Sequence, residues 1–230
     1  MKRIAVLTAL LFAALQIGYA QKVGLVLSGG GAKGAAHIGV IKALEENGIP
    51  IDYITGTSAG AIVGSLYAMG YTPEEMVELM LSEEFSYWQT GTVENEYKYY
   101  FKRPDPTPEF GHFSIDMTDS LQVKASFLPQ SLINPIQMNQ AFMALFSQAT
   151  AKAGWNFDNL FVPFRCVASD IYSKKAIIFK NGDLGDAVRA SMTFPFFFQP
   201  IWKDSVPIFD GGIYDNFPVG PMKDAFHPDF

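Results

Sequence analysis

Gly56-Thr57-Ser58-Ala59-Gly60 is the stretch that decides the fold of this chain of 230 residues. It follows a short β-branched run at 51–55 and precedes an apolar run of small residues at 61–69, which predicts a strand, a sharp turn and a helix. In that context the glycines of a G-x-S-x-G pattern allow a tight turn, and the serine Oγ is exposed at the end of the strand. Ser58 is therefore a candidate nucleophile, and the alternative is a turn of small residues without chemistry.

A glycine-rich loop lies one β-α unit earlier in the chain. Residues 23–27 form an apolar run typical of a buried strand, SGGGAKG follows at 28–34, and the spacing of apolar residues at 35–47 predicts a helix. A strand, a helix and a second strand in this order form a right-handed crossover between parallel neighbours. The loops after the two strands then lie at the same edge of the sheet, so we expect the glycine loop and Ser58 to meet.

The glycine loop admits two interpretations. Gly29, Gly31 and Gly34 match the G-x-G-x-x-G pattern of dinucleotide-binding proteins, which also requires an acidic residue at the end of the second strand. Asp52 stands at the start of that strand instead. The other interpretation is that backbone N–H groups of the loop stabilise a developing negative charge at a helix N-terminus. We favour the second, because it is the one that requires the loop to lie beside Ser58.

Composition narrows the class of protein. The chain is 49% hydrophobic and 17% charged, which is typical of one globular α/β domain with a sizeable core. Cys166 is the single cysteine, and the sequence has no cysteine and histidine cluster at metal-ligand spacing. We therefore expect neither a disulfide framework nor a metal site.

The first twenty residues have the pattern of a signal peptide. Lys2 and Arg3 precede an apolar run at 4–17, and small residues at 18–20 fit a cleavage site. The alternative is a membrane anchor, for which the run is short. Cleavage would remove two of 17 basic residues and leave 15 against 23 acidic ones, a net charge of −8. That charge argues against a nucleic-acid partner and against docking to anionic lipid by charge alone.

The rest of the chain carries further predicted elements. A capping box at 72–75 opens a helix that ends near Leu81, and a second helix is predicted at 134–152. Residues 82–108 lose this periodicity and are rich in aromatic residues and prolines, so they form either a lid over the site or a surface layer. The phenylalanine-rich run at 194–200 lines an acyl pocket, contacts a bilayer or packs in the core.

Four motifs occur in a fixed order along the chain. They are SGGGAKG at 28–34, GTSAG at 56–60, RASMTFP at 189–195 and DGG at 210–212. Together they resemble the patatin-like phospholipases, over residues 23–217. The resemblance implies an α/β fold, namely a three-layer α/β/α sandwich with a mostly parallel central sheet, related to the α/β-hydrolases.

The same resemblance implies a function and a site. It predicts hydrolysis of the acyl esters of phospholipids and neutral lipids, as in a phospholipase A or a lysophospholipase, without a metal or a cofactor. It assigns a Ser-Asp dyad to Ser58 and Asp210, and an oxyanion hole to Gly29, Gly30 and Gly31. A membrane surface is the expected partner.

The histidines of the chain support a dyad. A triad requires a histidine in a loop late in the chain, but His37 lies in the first predicted helix, His112 follows the proline cluster and His227 is in the terminal tail. A carboxylate must then act as the base. Burial beside Ser58 would raise the proton affinity of Asp210 and suit it to that role.

The expected reaction passes through an acyl-enzyme. Asp210 takes the proton of Ser58 as Oγ attacks the ester carbonyl, and the amides of the glycine loop, with that of Ala59, stabilise the oxyanion. Water then releases the fatty acid.

Two classes of protein compete with this interpretation. One is a non-catalytic lipid-binding or secretion-associated module of an outer-membrane protein, and the other is a nucleotide-binding oxidoreductase. We further expect residues 21–230 to be the hydrolase domain of a longer exported bacterial protein, truncated at its C-terminal end. By resemblance to exported relatives, POTRA and β-barrel regions would follow, with the protein in the periplasm, in the outer membrane or secreted.

Overall fold

The computed structural model describes residues 21–92 and 131–230, together with the backbone of two strands between them. The helices are α1 (Ala36–Glu46), α2 (Ala59–Ala68), α3 (Pro73–Leu81), α4 (Glu83–Thr90), α5 (Ile136–Lys152), α6 (Leu184–Ser191) and α7 (Val219–Phe226). The strands are β1 (Gly24–Leu27), β2 (Tyr53–Thr57), β3 (His112–Asp116), β4 (Gln122–Ser126), β5 (Phe164–Asp170), β6 (Lys175–Phe179), β7 (Ile201–Lys203) and β8 (Val206–Asp210). The signal peptide predicted at 1–20 lies outside the described residues.

The main sheet has the order β1-β2-β5-β8-β7, and β6 pairs with the other edge of β5. β1, β2 and β5 are parallel, whereas β6, β8 and β7 pair antiparallel to their neighbours. The sheet is therefore mixed where a mostly parallel one was expected. For the β5–β6 and β7–β8 pairs the cause is the length of the connections. Four residues join β5 to β6 and two join β7 to β8, and such short links allow antiparallel pairing alone. Asp204 and Ser205 both have positive φ, as in a type I′ hairpin.

Helices cover both faces of the parallel strands, which confirms the three-layer α/β/α prediction. Tyr53 stacks on Phe226 with ring centroids 4.6 Å apart, and Thr55 Oγ1 donates a hydrogen bond to the carbonyl of Pro218, so these residues of β2 face the α7 side. Ile54 points to the opposite face, where Gly64 of α2 lies against its methyl group. The two faces follow from the alternation of side chains along a strand.

The approach of α2 to the sheet depends on glycine. A methyl group on Gly56 would lie 2.5 Å from the carbonyl oxygen of Gly60, and one on Gly60 would meet the carbonyl of Leu27. Both glycines of the GTSAG motif therefore serve close packing of a helix on two strands. Val63 and Leu66 of the same helix are fully buried, so α2 is the central helix of the core.

The register of the sheet brings two strand ends together. β5 pairs with β2 along its first half and with β8 along its second half, while β6 takes the other edge. β2 and β8 thus lie end to end on one edge of β5, with their C-terminal ends facing each other. Thr57 pairs with Val167 and Asp210 pairs with Ala168, the next residue. Ser58, which follows Thr57, consequently lies beside Asp210.

The segment after α3 differs in part from the sequence expectation. The capping box at Thr72 and Glu75 is present and opens α3, as predicted. The expectation of irregular structure from Ser82 is wrong at first, because the Ser82 Oγ accepts a hydrogen bond from the Phe85 N–H and begins α4. Of the segment 82–108 expected to form either a lid or a surface layer, residues 93–108 lie outside the described residues. Among the helices that the structure describes, none combines the length and the hydropathy needed to cross a bilayer.

Candidate active site

Ser58 occupies a strained turn between β2 and α2. Its φ is 54° and its ψ is −119°, a conformation that costs a residue with a side chain about 1–3 kcal/mol. The Ser58 N–H donates a hydrogen bond of 2.8 Å to Ser191 Oγ, and Ser191 Oγ donates in turn to the carbonyl of Val167 at 2.5 Å. The last residue of α6 therefore holds the backbone of the turn through its hydroxyl group.

Asp210 is the hydrogen-bond partner of the Ser58 side chain. Ser58 Oγ donates to Asp210 Oδ2 at 2.7 Å, and the Gly212 N–H donates to Asp210 Oδ1 at 2.7 Å. The carboxyl group is buried, with 7% of the residue exposed. Its pKa is raised above the ordinary value because burial disfavours the charged form, and the two hydrogen bonds oppose that effect without cancelling it. A carboxyl with this surrounding has a higher proton affinity than a solvated aspartate.

The glycine loop is fixed to the chain segment after Asp210. The Gly29 N–H donates to the carbonyl of Asn216 at 3.2 Å, and Asn216 Nδ2 donates to the carbonyl of Gly29 at 3.4 Å. Gly31 has a φ of 56°, which favours glycine at this position. The Gly29 N–H thus has an acceptor already. Gly30 and Gly31, which were also predicted to bind the oxyanion, line the cavity that contains Ser58. Their N–H groups take no part in the hydrogen bonds between Gly29 and Asn216.

Ala59 begins α2 directly after Ser58. As the first residue of a helix, its N–H has no carbonyl one turn earlier to which it could donate within the helix. Ala59 also lines the cavity, and the positive end of the helix dipole lies at the same point. The glycine loop and the start of α2 therefore line the same cavity as Ser58.

A cavity of about 1030 Å³ contains Ser58 and Asp210. Its inner wall consists of buried or partly buried apolar side chains, and its mouth carries exposed ones such as Leu81 and Phe194. The inner wall includes Ile62, Met80, Trp88, Met138, Phe142 and Phe198. Among the described residues that line the cavity, Asp210 is the one with an ionisable side chain. Such a cavity suits a hydrocarbon chain better than a charged group.

Arg189 is a buried cation behind this wall. It donates hydrogen bonds to Asn139 Oδ1, Thr193 Oγ1 and the carbonyl of Gln199, and its guanidinium lies 5.1 Å from the ring centroid of Phe198. Burial lowers its pKa to about 10, so it remains charged at neutral pH. Arg189 thereby fixes the run after α6, which supplies part of the cavity wall.

The described histidine side chains lie away from the Ser58 hydroxyl. His37 Nε2 is 2.9 Å from the carbonyl oxygen of Ser28, at the base of the glycine loop. His227 is exposed at the end of α7, and the side chain of His112 lies outside the described residues. Within the part of the chain that the structure describes, the carboxyl of Asp210 is thus the group positioned to accept the Ser58 proton.

Two residues of the site had no role assigned from the sequence. Ser191 falls within the RASMTFP motif, but nothing local indicates that its hydroxyl would reach the amide of Ser58, 133 residues away. Asn216 follows the DGG motif by four residues and was not singled out. The feature of the sequence that could have indicated a role for Asn216 is its position a few residues after an aspartate at the end of a strand.

Comparisons with known proteins identify the family of this chain. The family model described as patatin-like phospholipase matches residues 25–223. A patatin-like phospholipase domain-containing protein of Caenorhabditis elegans, ZK370.4, is 29% identical over 203 residues, covering 87% of this chain. The lysophospholipase NTE1 of Pyricularia oryzae is 31% identical over 204 residues, covering 88% of this chain. The chain spans 12% and 11% of the length of these two relatives.

The fold has a counterpart among solved structures. VipD from Legionella pneumophila superposes with a TM-score of 0.52 at 18% identity, over 86% of this chain and 47% of VipD. Because the family model covers residues 25–223, most of the chain, the chain belongs to the patatin-like phospholipase family.

Proposed function

We propose that this chain hydrolyses fatty-acyl esters of lipids, as a phospholipase A or a lysophospholipase does, through a Ser58–Asp210 dyad. The observation that supports this proposal most directly is the 2.7 Å hydrogen bond from Ser58 Oγ to a buried carboxylate inside an apolar cavity. Membership in the patatin-like phospholipase family and the names of the two relatives point to the same class of substrate.

The reaction that fits this geometry has two halves. Asp210 accepts the Ser58 proton as Oγ attacks the carbonyl carbon, and then delivers that proton to the departing alcohol oxygen as the ester C–O bond breaks. In the second half Asp210 takes a proton from water, whose oxygen attacks the acyl-enzyme. Return of the proton to Ser58 Oγ releases the fatty acid and restores the dyad.

The negative charge that develops on the carbonyl oxygen requires donors. We assign this role to the N–H groups of Gly30, Gly31 and Ala59, residues that line the cavity together with Ser58. The Gly29 N–H, engaged with Asn216, holds the loop in place instead. Fixed backbone donors need little reorganisation as charge develops, and each is worth about 10²–10³ in turnover.

Product analysis tests the proposed activity. The chain is incubated separately with phosphatidylcholine and lysophosphatidylcholine, and free fatty acid is quantified by mass spectrometry. We expect fatty acid from at least one of the two, together with labelling of Ser58 by a fluorophosphonate probe. Absence of both release and labelling would contradict the proposal and would favour the non-catalytic lipid-binding module.

The pH dependence of hydrolysis follows from the environment of Asp210. Since burial raises the pKa of this carboxyl, the catalytic base is lost by protonation at a higher pH than for an ordinary aspartate, whose value is about 3.9. We expect kcat/KM for a soluble nitrophenyl ester to fall as the pH drops through that raised value. An acid limb centred at or below the ordinary value would contradict the assignment.

The contribution of Asp210 to the free energy of unfolding depends on pH in the sense opposite to that of kcat/KM. The pKa of this carboxyl is higher in the folded chain than in the unfolded chain. At pH values between those two pKa values, the folded state therefore binds more protons than the unfolded state. The free energy of unfolding therefore decreases as the pH rises through that window. Thermal melts across the same pH range measure this slope, which Asp210→Asn should reduce.

Ser191→Ala tests how the Ser58 turn is held. The change removes the acceptor of the Ser58 N–H and the donor to Val167, so we expect kcat to fall about 10–100-fold with little change in KM. Ser169→Ala is a matched control, because Ser169 Oγ is buried without a hydrogen-bond partner among the described residues. It should retain full activity. Equal kcat values for the two variants would exclude a positioning role for Ser191.

A further inference from the structure

Exposed apolar side chains surround the mouth of the cavity. Leu81 is 81% exposed and Phe194 is 56% exposed, and both line the cavity, as do the exposed Phe197 and Ile213. Phe196 stands beside them outside the cavity wall, and 72% of it is exposed. Exposed aromatic and aliphatic groups concentrated along one cavity form a patch of the kind that marks an interaction surface.

The part of this patch formed by residues 194–197 is held in place. We call it the phenylalanine turn. The N–H groups of Leu132 and Ile133 donate to the carbonyls of Phe196 and Phe197 at 2.8 and 2.9 Å. The rings of Phe194 and Phe197 pack edge to face with centroids 5.6 Å apart. The two hydrogen bonds come from a segment distant in sequence and the ring contact lies within the turn, so the turn is a structured feature of the surface.

The conformation of Phe196 shows that its exposure is maintained at a cost. Its φ is 68°, a region in which glycine or asparagine is stable and a bulky aromatic residue is strained. Neither burial nor a favourable backbone conformation accounts for a phenylalanine at this position in the isolated chain. A partner that removes the ring from water would offset both effects.

We propose that the phenylalanine turn, with Leu81 and Ile213, inserts into a zwitterionic lipid surface, a step that rests on the proposed function because it delivers an acyl chain to Ser58. The patch and the cavity are continuous, since Phe194 and Phe197 belong to both. A lipid acyl chain that leaves the bilayer between these rings therefore stays in an apolar environment until its ester group reaches Ser58.

Charge selects the kind of lipid surface. The chain has a net charge of −6, and the mouth-lining residues named above are uncharged. An anionic bilayer would therefore gain little electrostatic attraction and would be repelled by the chain as a whole. Insertion of aromatic side chains into a zwitterionic surface requires no such attraction, because it depends on the removal of apolar area from water.

Phe196→Asn and Trp155→Asn form a matched pair for the test. Trp155 is also an exposed aromatic residue with positive φ, 63°, but it follows the end of α5 that is remote from the cavity residues Met138 and Phe142. Asparagine tolerates positive φ, so both variants should fold. Binding to phosphatidylcholine vesicles is measured by co-sedimentation, and hydrolysis is measured with phosphatidylcholine vesicles and with a soluble nitrophenyl butyrate.

We expect Phe196→Asn to weaken vesicle binding about tenfold, as loss of a partly inserted ring would, and to slow hydrolysis of vesicle lipid by a similar factor. Hydrolysis of nitrophenyl butyrate should be unchanged, because Phe196 lies outside the cavity wall. Trp155→Asn should match the parent chain in all three measurements.

Several results would overturn the docking proposal. They are failure of the parent chain to bind phosphatidylcholine vesicles, equal binding by the Phe196→Asn variant, and binding that rises tenfold when phosphatidylserine is added. A dimer in sedimentation velocity that dissociates in Phe196→Asn would identify a second copy as the occupant and would likewise overturn it. Vesicle binding that depends on Phe196 without hydrolysis of any ester would support docking and contradict the proposed function alone.

Discussion

Ser58→Ala is expected to reduce fatty acid release from lysophosphatidylcholine by at least about 10⁴-fold, because it removes the atom that forms the acyl-enzyme. The proposed oxyanion donors and the apolar cavity are unaffected by the change, so substrate should still bind. The Ser58 N–H that donates to Ser191 is also retained. Release of fatty acid and labelling by a fluorophosphonate probe, measured on the same preparation, should both disappear.

Ser65→Ala is the control for this variant. Ser65 lies in α2 two turns after Ser58, is fully buried, and its hydroxyl donates to the carbonyl of Ile62 within the helix. It should keep full activity and full labelling. Substantial hydrolysis by Ser58→Ala, above about 1% of the parent rate, would exclude Ser58 as the nucleophile.

Asp210→Asn is expected to reduce the same activity by about 10³–10⁴-fold, since an amide cannot accept the Ser58 proton. Asparagine has the same size, and its carbonyl oxygen can still accept the hydrogen bond from the Gly212 N–H. The variant also removes a buried charge whose pKa is raised by desolvation. We therefore expect the melting temperature at neutral pH to remain equal or to rise while activity is lost.

Asp183→Asn is the matched control for loss of a carboxylate. Asp183 caps α6 by accepting a hydrogen bond from the Asp186 N–H, and asparagine is an equally good cap. This variant should be fully active. If Asp210→Asn retained more than about a tenth of the parent rate in a folded chain, the base would have to be another group and the dyad would be wrong.

Much of the fold follows from patterns within short stretches of sequence. The capping box at Thr72, the apolar spacing of α1 and the runs that form β1 and β2 all predict elements that the structure contains. These signals are local, because a helix cap or a buried strand is specified by residues that lie close together in the sequence. The α4 helix was missed because its aromatic residues obscure the periodicity.

The mixed pairing of the sheet was harder to predict from the sequence. The links from β5 to β6 and from β7 to β8 are short enough to require antiparallel pairing. The direction of β8 relative to β5 depends in contrast on packing across the whole domain. No pattern within β8 itself distinguishes the two directions.

The site, like the fold, has parts that the sequence predicts and parts that depend on tertiary packing. Motif order and the positions of the histidines were sufficient to propose Ser58 with Asp210 and the glycine loop as a unit, before any coordinates. The distance of 2.7 Å between Ser58 Oγ and Asp210 Oδ2 exists because β2 and β8 meet end to end on β5, and 152 residues separate the two side chains.

Long-range contacts also supply the details that sequence patterns leave open. Ser191 reaches the Ser58 amide, Asn216 takes the Gly29 N–H, and Leu132 and Ile133 fix the phenylalanine turn. Each contact joins residues that are remote in the chain, and each depends on how helices and strands pack. The GTSAG turn is thus a local property of five residues, whereas the partner of its hydroxyl and the acceptor of its amide are set by the packing of the domain.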